Sequence, residues 1–184
     1  MPTQNVYLQW GTWINGLDIT GPTHGDQTFM KVGGHTSDGQ TAEARPLFKL
    51  NSDAFSGQIL SATLNLYCTE IRASIMAYRV IRASTKNATW RSSGLSDWTW
   101  EGCDYQNTDR SYTALFSGWY GMTTTGWHSI PIVAMAELES IISGIYTLIL
   151  LPSSTNYTAL IAKDPLPYLA VTYQSTLVGG VQII

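Results

Sequence analysis

The stretch 59–68, ILSATLNLYC, constrains the fold most, because apolar and polar residues alternate along most of it. Successive side chains of a strand point to opposite faces, so this alternation predicts a strand with one buried and one solvent-facing side. The buried side would hold Ala62, Leu64, Leu66 and Cys68, and the other side would hold Thr63, Asn65 and Tyr67. A helix would instead space its apolar residues three or four positions apart.

Short strands of the same kind dominate the rest of the chain. They are NVYLQW, QTFMKVGG, RPLFKLN, SIMAYRVIRA, GWHSIPI, IYTLILLP, YTALIAKD and YLAVTYQ. Gly, Pro, Ser and Thr residues separate them, as turns require. The sequence has no strand–helix–strand rhythm and no internal repeat. The pattern therefore predicts an all-β fold, an antiparallel jelly-roll β-sandwich with one short helix and a C-terminal extended arm.

The helix is predicted in PIVAMAELESIISG, residues 131–144. Pro131 stands near its start, and Gly144 stands where the glycine that follows a helix belongs. The apolar stripe consists of Ala134, Leu138, Ile141 and Ile142. This spacing predicts a single helix of about three turns.

The length of 184 residues and the apolar fraction of 44% suit one domain with a packed core. We expect this domain to span 1–174, with residues 175–184, STLVGGVQII, as an uncharged, β-prone arm outside it. An unpaired strand exposes backbone hydrogen-bonding groups, so the arm is predicted to pair with the sheet edge of a neighbouring copy in a homo-oligomer. Its predicted contact residues are Leu177, Val178, Val181, Ile183 and Ile184.

Charged residues are scarce, at 12% of the chain against about 25% in an average soluble domain. Ser, Thr, Asn, Gln and Gly must cover the surface instead, which is typical of proteins that work outside a cytoplasm. A net charge of −3 without a cluster of Lys or Arg argues against a nucleic-acid partner. No apolar run approaches the roughly 18 residues of a membrane span, and the opening residues, MPTQNVYLQWGTWING, lack a secretory signal. We expect a particle component or a fragment of a longer protein.

From residue 44 onward the order of features resembles the disaggregatase-related (DNRLRE) domain family. The resemblance is carried by ARPLFKLN (44–51), SATLNLY (61–67), AYRVIRA (77–83), ATWRSSGLSDWTWEGCDY (88–105), GWHSIPIVAMAEL (126–138) and LPYLAVTY (166–173). The sequence departs from the family pattern after Trp90, where RSS replaces the usual Glu, and at Pro131-Ile132, where the usual residue is Asp. The resemblance implies a β-sandwich module of secreted polysaccharide-acting and surface proteins, without an active site.

Catalytic signatures are not found in the sequence. It contains no Gly-x-Ser-x-Gly, no His-Glu-x-x-His and no phosphate-binding glycine loop. His128 and Ser129 are neighbours in a predicted strand and would point to opposite faces. Asp97 and Glu101 could form a glycosidase pair, but solvated loop carboxylates are the simpler interpretation. We predict a protein without catalytic activity and without an organic cofactor.

The polar segment 88–109, ATWRSSGLSDWTWEGCDYQNTD, is unusually rich in aromatic residues. Trp98 and Trp100 would share one face of an extended chain. They could stack on a sugar ring, or they could lie flat over the open end of the core. The candidate glycan-binding residues are Trp98, Trp100, Tyr105, Trp119 and Tyr120.

The same segment offers oxygen ligands for calcium, which accepts six to eight of them in irregular geometry. The candidate ligands are Asp97, Glu101, Asp104 and Asn107. Asx turns, in which such side chains bond their own backbone, are the alternative. Cys68 and Cys103 are interpreted as buried free thiols, with a disulfide between them as the alternative.

These observations predict a non-enzymatic structural or attachment protein on the exterior of a particle, such as a bacteriophage decoration or tail-surface protein, with weak glycan binding. The expected location is a virion or an extracellular surface. The expected partners are further copies of the chain, other virion or surface proteins and a polysaccharide, but neither nucleic acid nor membrane. The alternative is a carbohydrate-binding module, free-standing or part of a larger secreted protein.

Overall fold

A computed structural model of the chain describes residues 1–17, 24, 26–50, 58–70, 73–82, 85–104, 106–142, 146–174, 177–178 and 181–182. The elements are β1 Thr3–Asn15, β2 Phe29–Ser37, β3 Gln40–Leu50, β4 Gln58–Glu70, β5 Ala73–Val80, β6 Tyr120–Met122, β7 Gly126–Ile132, α1 Met135–Ile142, β8 Thr147–Pro152, β9 Thr158–Ala162, β10 Tyr168–Gln174, β11 Leu177–Val178 and β12 Val181–Gln182. Every pairing between these strands is antiparallel. The prediction of an all-β, antiparallel fold with one short helix is confirmed.

Six strands close into a ring in the order β1, β10, β4, β9, β2 and β3, and β3 pairs with β1 again. The long strand β1 makes this closure because it changes partner along its length. Residues 3–7 pair with β10, residues 8–15 pair with β3, and the register shifts between Leu8 and Trp10. Such an irregularity bends a strand and increases its twist. The closed ring differs from the predicted jelly-roll sandwich, in which two separate sheets stack face to face.

Gly33 is the point at which β2 passes from one partner to the other. It pairs with Ala44 of β3 on one side and with Thr158 of β9 on the other. Its φ of 109° lies in the region that favours glycine, and a Cβ there would collide with the carbonyl oxygen of Tyr157. A residue without a side chain is therefore required where the ring crosses from β9 to β3.

Four further strands of the larger sheet lie outside this ring. β8, β5 and β6 continue the sheet beyond β3, and β7 pairs with the remaining edge of β4. Pro131 lies within β7, where a missing N–H is tolerated because β7 pairs on one side only. The main core fills the interior between these strands, and α1 contributes Leu138, Ile141 and Ile142 to it.

The helix is shorter than predicted. It begins at Met135, whereas Pro131 and Ile132 belong to β7. The reason is that the alternation of β7, with Ile130 and Ile132 buried, continues through the proline. The buried residues of the predicted stripe, Leu138 and its neighbours at the C-terminal end, are confirmed, and Gly144 lies outside the described residues.

The alternation that opened the sequence analysis is also confirmed. Leu64, Leu66 and Cys68 are buried in the main core, while Tyr67 lies on the opposite face. At the C-terminus, β11 and β12 pair antiparallel with Val178 opposite Val181, so these residues do not form one continuous extended strand. Ile183 and Ile184 lie outside the described residues. In the part of the chain that the structure describes, no helix has the length and apolarity that a membrane crossing requires.

Candidate functional site

The irregular segment 85–119 contains most of the predicted site residues, and its first part covers the outer face of β3, β8 and β5. We call this the covered face. Its strands alternate residues of the main core with residues that point outward into a second apolar cluster. The cluster contains Ile14, Leu47, Val80, Ala88, Trp98, Cys103, Ile149 and Leu151. The segment is therefore a packed layer rather than an open loop.

Asp109 organises this layer. Its side chain is fully buried, and its two carboxylate oxygens accept hydrogen bonds from the backbone N–H groups of Thr99 and Trp100, each at 2.9 Å. Arg82 Nε lies 3.3 Å from the Oδ1 atom. A buried carboxylate needs such partners because its charge would otherwise be desolvated without compensation. The side chain of Asp109 thus holds the tryptophan turn against β5.

Two further arginines fix the other parts of the segment. Arg45 binds Glu43 through two bonds of 2.7 and 2.9 Å, donates to the Gly102 carbonyl oxygen at 2.7 Å and lies over the Trp90 ring at 4.9 Å. Arg110 lies 4.4 Å from the centre of the Tyr78 ring. Planar guanidinium groups can bind a carboxylate and stack on an aromatic ring at once. These contacts are structural, since they connect the segment to the sheet beneath it.

The structure separates the predicted aromatic residues. Trp98 is only 5% exposed, and its indole N–H donates to the Thr89 carbonyl oxygen at 3.1 Å. Of the two alternatives for Trp98, the structure favours packing over the core, because the ring is a buried part of the second cluster, and Trp98 is therefore not an exposed glycan-binding ring. Trp100 is 60% exposed. The two rings do not share a face, because the backbone turns at 98–100 to reach Asp109.

The remaining predicted rings have different positions. Trp119 is 54% exposed and precedes β6. Tyr120 is partly buried against the main core, and its hydroxyl lies 3.3 Å from Nδ1 of His128. Tyr105 lies outside the described residues. Neither Trp119 nor Tyr120 belongs to the second apolar cluster, in which Trp98 is buried.

The predicted calcium ligands are not brought together. Asp104 faces two guanidinium groups, with its Oδ1 atom 3.3 Å from Arg110 and its Oδ2 atom 3.7 Å from Arg45. Asp97, Glu101 and Asn107 are exposed. Among the described residues, no three His, Cys, Asp or Glu side chains are grouped so that they could hold a metal ion. Asp97, Glu101 and Asp104 therefore do not form the predicted metal site. The carboxylate of Asp104 is paired with Arg45 and Arg110 instead.

Both cysteines are buried free thiols, which confirms that interpretation over a disulfide. Cys68 belongs to the main core and Cys103 to the second cluster. Burial raises the pKa of the Cys68 thiol to about 11. Burial, reinforced by the nearby Asp109 carboxylate, raises the pKa of Cys103 as well. Both side chains therefore stay protonated at neutral pH and are poor nucleophiles.

His128 has a structural role. Its Nε2 atom donates to the Thr124 carbonyl oxygen at 2.7 Å, so its Nδ1 atom accepts from the Tyr120 hydroxyl. The side chain is buried, whereas Ser129 is exposed on the other face of β7, as the strand alternation predicts.

A groove of about 400 Å³ at the ends of β5 and β6 offers mainly hydroxyl groups. It is lined by Ala73, Ser74, Met122, Thr123, Ser153, Ser154 and Tyr157.

A second aromatic arrangement, which the sequence analysis did not identify, crosses the opposite side of the molecule. The aromatic row consists of Tyr7, Tyr168, Trp127 and Tyr67. Successive ring centres are 5.6 Å, 5.5 Å and 5.5 Å apart. Tyr7 and Trp127 are 47% and 46% exposed, and the other two rings are partly exposed. These four rings form a continuous surface feature.

The strand register explains why the row forms. Tyr7 pairs directly with Tyr168 between β1 and β10, and Tyr67 pairs directly with Trp127 between β4 and β7. Residues directly opposite one another share a face of the sheet. Tyr168 is also paired with Asn65, and the contact between Tyr168 and Trp127 passes over that residue. Asn65 is accordingly 5% exposed although it lies on the outer face.

The strand segments that carry the aromatic row have no formally charged side chain. The segments 3–7, 59–68, 126–132 and 168–172 contain no Asp, Glu, Lys or Arg. Their outward positions hold small polar residues as well as the rings, and Ser129 Oγ donates to Asn65 Oδ1 at 2.7 Å. We call this outer surface of β1, β10, β4 and β7 the bare face, because no described segment is packed on it as 85–119 is packed on the covered face.

Comparison with models of known protein families finds no match for this chain, and comparison with curated protein sequences finds none either. The resemblance to the DNRLRE family therefore stays a prediction. The geometry described above is the basis for the functional proposal.

Proposed function

We propose that this chain is a non-enzymatic structural and attachment protein on the exterior of a particle, such as a decoration or tail-surface protein of a bacteriophage virion. The observation that carries the proposal is the aromatic row on the bare face. The largest contiguous apolar patch on a soluble protein is often functional. We take the bare face to be the surface through which the protein attaches.

The scaffold favours attachment through a fixed surface. Each ring of the aromatic row projects from a strand, and these strands pair with one another over many residues. Sites built on regular elements keep their geometry better than sites built on loops. The low charged fraction of 12% also suits a protein that works outside a cytoplasm.

In terms of fold, we propose that the ring of six strands is a modified jelly-roll sandwich. In support of this, the inward residues of β4 and β10 and those of β3 and β8 pack into the same main core. The bent strand β1 belongs to both sides. It would join two facing sheets at a corner, as strands do in orthogonally packed sandwiches.

The C-terminal residues are proposed as the contact between copies. The support is that Leu177–Val178 pairs with Val181–Gln182 in a two-stranded sheet of its own, separate from the larger sheet. An apolar hairpin of this kind offers strand edges that a neighbouring chain can extend. We propose a symmetric homo-oligomer held in part by Leu177, Val178, Val181, Ile183 and Ile184.

Immunogold electron microscopy tests the proposed location. Intact particles from the source culture are labelled with antibody to this protein, before and after disruption. Label on undisrupted particles is the expected result. Label that is confined to soluble protein, or that requires disruption, would refute an exterior location.

A carbohydrate-binding module is the second candidate function, and the composition of the bare face favours it. Exposed aromatic rings contact the C–H faces of sugars, while nearby hydroxyl and amide groups bond the sugar hydroxyls. The bare face supplies both kinds of group. The two functions are compatible, because an attachment protein can hold its target through a glycan.

A further inference from the structure

We infer that the aromatic row binds a single chain of a neutral polysaccharide, which crosses β1, β10, β4 and β7. This inference rests on the proposed function only in taking the bare face as the contact surface. It adds the chemical class of the ligand and the way in which the ligand lies.

The ring spacing carries the first step. The contacts from Tyr7 to Tyr168, from Tyr168 to Trp127 and from Trp127 to Tyr67 all measure 5.5 or 5.6 Å between ring centres. This spacing is the ordinary contact distance between aromatic side chains, so the four rings form one continuous patch on which pyranose units can lie. Aromatic faces carry partial negative charge and attract the C–H groups of such units. A continuous patch of four rings can therefore contact more than one sugar.

The absence of charge carries the second step. Acidic polysaccharides are held by Arg and Lys, whose guanidinium and ammonium groups pair with carboxylates and sulfates. The segments 3–7, 59–68, 126–132 and 168–172, which carry the aromatic row, contain neither residue, nor any Asp or Glu, and Glu70 at the end of β4 lies beyond them. A neutral chain meets this face without desolvating an unpaired charge.

The ring tilts carry the third step. Neighbouring ring planes are inclined by 44°, 68° and 77° along the row. A crystalline polysaccharide presents a flat surface, which coplanar rings would match. The inclined rings of the row are not such a coplanar surface, so a single chain is the better ligand.

Polar groups beside the rings are oriented for sugar hydroxyls. The Tyr7 hydroxyl accepts from Asn5 Nδ2 at 3.4 Å, which leaves its own proton to donate to a ligand oxygen. Ser129 Oγ donates to Asn65, which leaves its lone pairs as acceptors. Paired donors and acceptors of this kind fix the orientation of a bound chain.

A second copy of this chain is a poorer occupant of the same face. Two rings that are about half exposed and two that are less exposed offer at most roughly 400 Å² in total, at 150–250 Å² for each buried ring. A stable protein interface needs about 800 Å² from each partner. The row is large enough for a few sugars and too small for a subunit interface by itself.

Affinity gel electrophoresis tests the inference with the full chain. The gels contain dextran, glycogen, galactomannan, xyloglucan or mixed-linkage β-glucan as neutral polysaccharides, and alginate or hyaluronan as acidic ones. We expect at least one neutral polysaccharide to retard the protein, and Trp127→Ala to weaken that binding about tenfold. Trp100→Ala is the matched control, because it removes another exposed indole, 60% exposed against 46% for Trp127, from the covered side, and it should leave the retardation unchanged.

Three results would overturn the inference: no retardation by any of the neutral polysaccharides, retardation by the acidic ones alone, or equal loss of binding in Trp100→Ala. Stronger retention on crystalline cellulose than in any gel would refute the single-chain mode. Trp127→Phe keeps a ring on the same fold and should restore part of the binding, and melting temperatures verify that each variant is folded.

The proposed function can fail separately. Particles that carry the protein outside and lose it in Trp127→Ala, without polysaccharide binding in gels, would support attachment and overturn the glycan inference. Polysaccharide binding in gels, without antibody label on intact particles, would support the glycan inference and overturn the exterior location.

Discussion

The covered face and the bare face are built from the same kind of antiparallel strands, yet they meet the surroundings differently. On the covered face, the outward residues Ile149 and Leu151 are apolar and buried beneath 85–119. On the bare face, the outward positions hold aromatic and small polar residues in contact with solvent. Tryptophan is present on both, but Trp98 is a packing residue and Trp127 is a surface residue.

The difference can be seen in the strand sequences. β8 reads TLILLP and is buried at every position. A continuous apolar run is typical of a strand that is covered on both sides. β4 and β7 alternate instead, as expected of strands with one face in solvent. The lesson is that alternation indicates which side of a sheet is available for recognition.

The largest expected effect comes from removing the buried tryptophan of the covered face. Trp98→Ala should lower the free energy of unfolding by about 3–5 kcal/mol, because it leaves a cavity in the second cluster. Trp100→Ala, two residues away and exposed, should change it by less than about 0.5 kcal/mol. Urea denaturation measures both. Equal effects would contradict the separation of the two rings.

The next largest effect is expected from the carboxylate of Asp109, which is buried within the segment 85–119. Asp109→Asn replaces one acceptor oxygen by an amide that opposes a backbone N–H, so we expect a loss of about 2 kcal/mol. Asp97→Asn, an exposed change in the same segment, should be close to neutral. Thermal or urea unfolding distinguishes the two. A neutral Asp109→Asn would mean that this side chain does not hold the tryptophan turn.

A smaller stability effect is expected on the bare face. Trp127→Ala removes two aromatic contacts, with Tyr67 and with Tyr168, and each such pair contributes about 1 kcal/mol or less. Its loss in stability should therefore remain below that of Trp98→Ala, while the proposed polysaccharide binding should weaken about tenfold. If Trp127→Ala were the more destabilising of the two, the bare face would be a packing surface.

The smallest expected effect is the reaction of the two buried thiols with a reagent when the fold opens transiently. It can be measured without a substitution. At pH 8 neither thiol should react with a thiol reagent in the native protein, since burial raises the pKa of both above the ordinary value near 9.0. Because a raised thiol pKa favours the protonated form, reactivity of Cys68 should increase only as the pH rises toward about 11. With added denaturant, Cys103 should be labelled before Cys68, because the second cluster is the smaller and depends on an irregular segment. Peptide mass spectrometry measures the order, and the reverse order would contradict a separately opening layer.

Much of the fold follows from sequence patterns, and the ring closure does not. The alternation around Leu64 and the stripe through Leu138 each reflect local periodicity, which burial then fixes. The closure depends on β1 pairing with β10 and β3, and Thr3 and Thr172 are far apart in sequence. Local propensity carries no information on such pairings. The helix start was placed too early because Pro131 fits both a helix N-terminus and an edge strand.

The candidate site was predictable only in part, for a related reason. A spacing of two places Trp98 and Trp100 on one face only if the backbone between them is extended, and Asp109 prevents this by binding both N–H groups that follow Trp98. The aromatic row depends on the register of four strands. The outward position of Tyr67 was predicted from alternation, but its contact with Trp127 requires knowing which strands pair.

The pairing of β1 with β10 has a consequence for engineering. Thr3 lies opposite Thr172, so the two ends of the described domain leave the sheet side by side. A short linker could join them and the chain could be opened at the exposed Gly118, which would give a circular permutant with the same strand pairings. Tyr7 lies about 13 Å further along β1 than Thr3. A carrier fused at these ends would therefore stand clear of the aromatic rings, and the domain could be arrayed on a surface with its recognition side outermost.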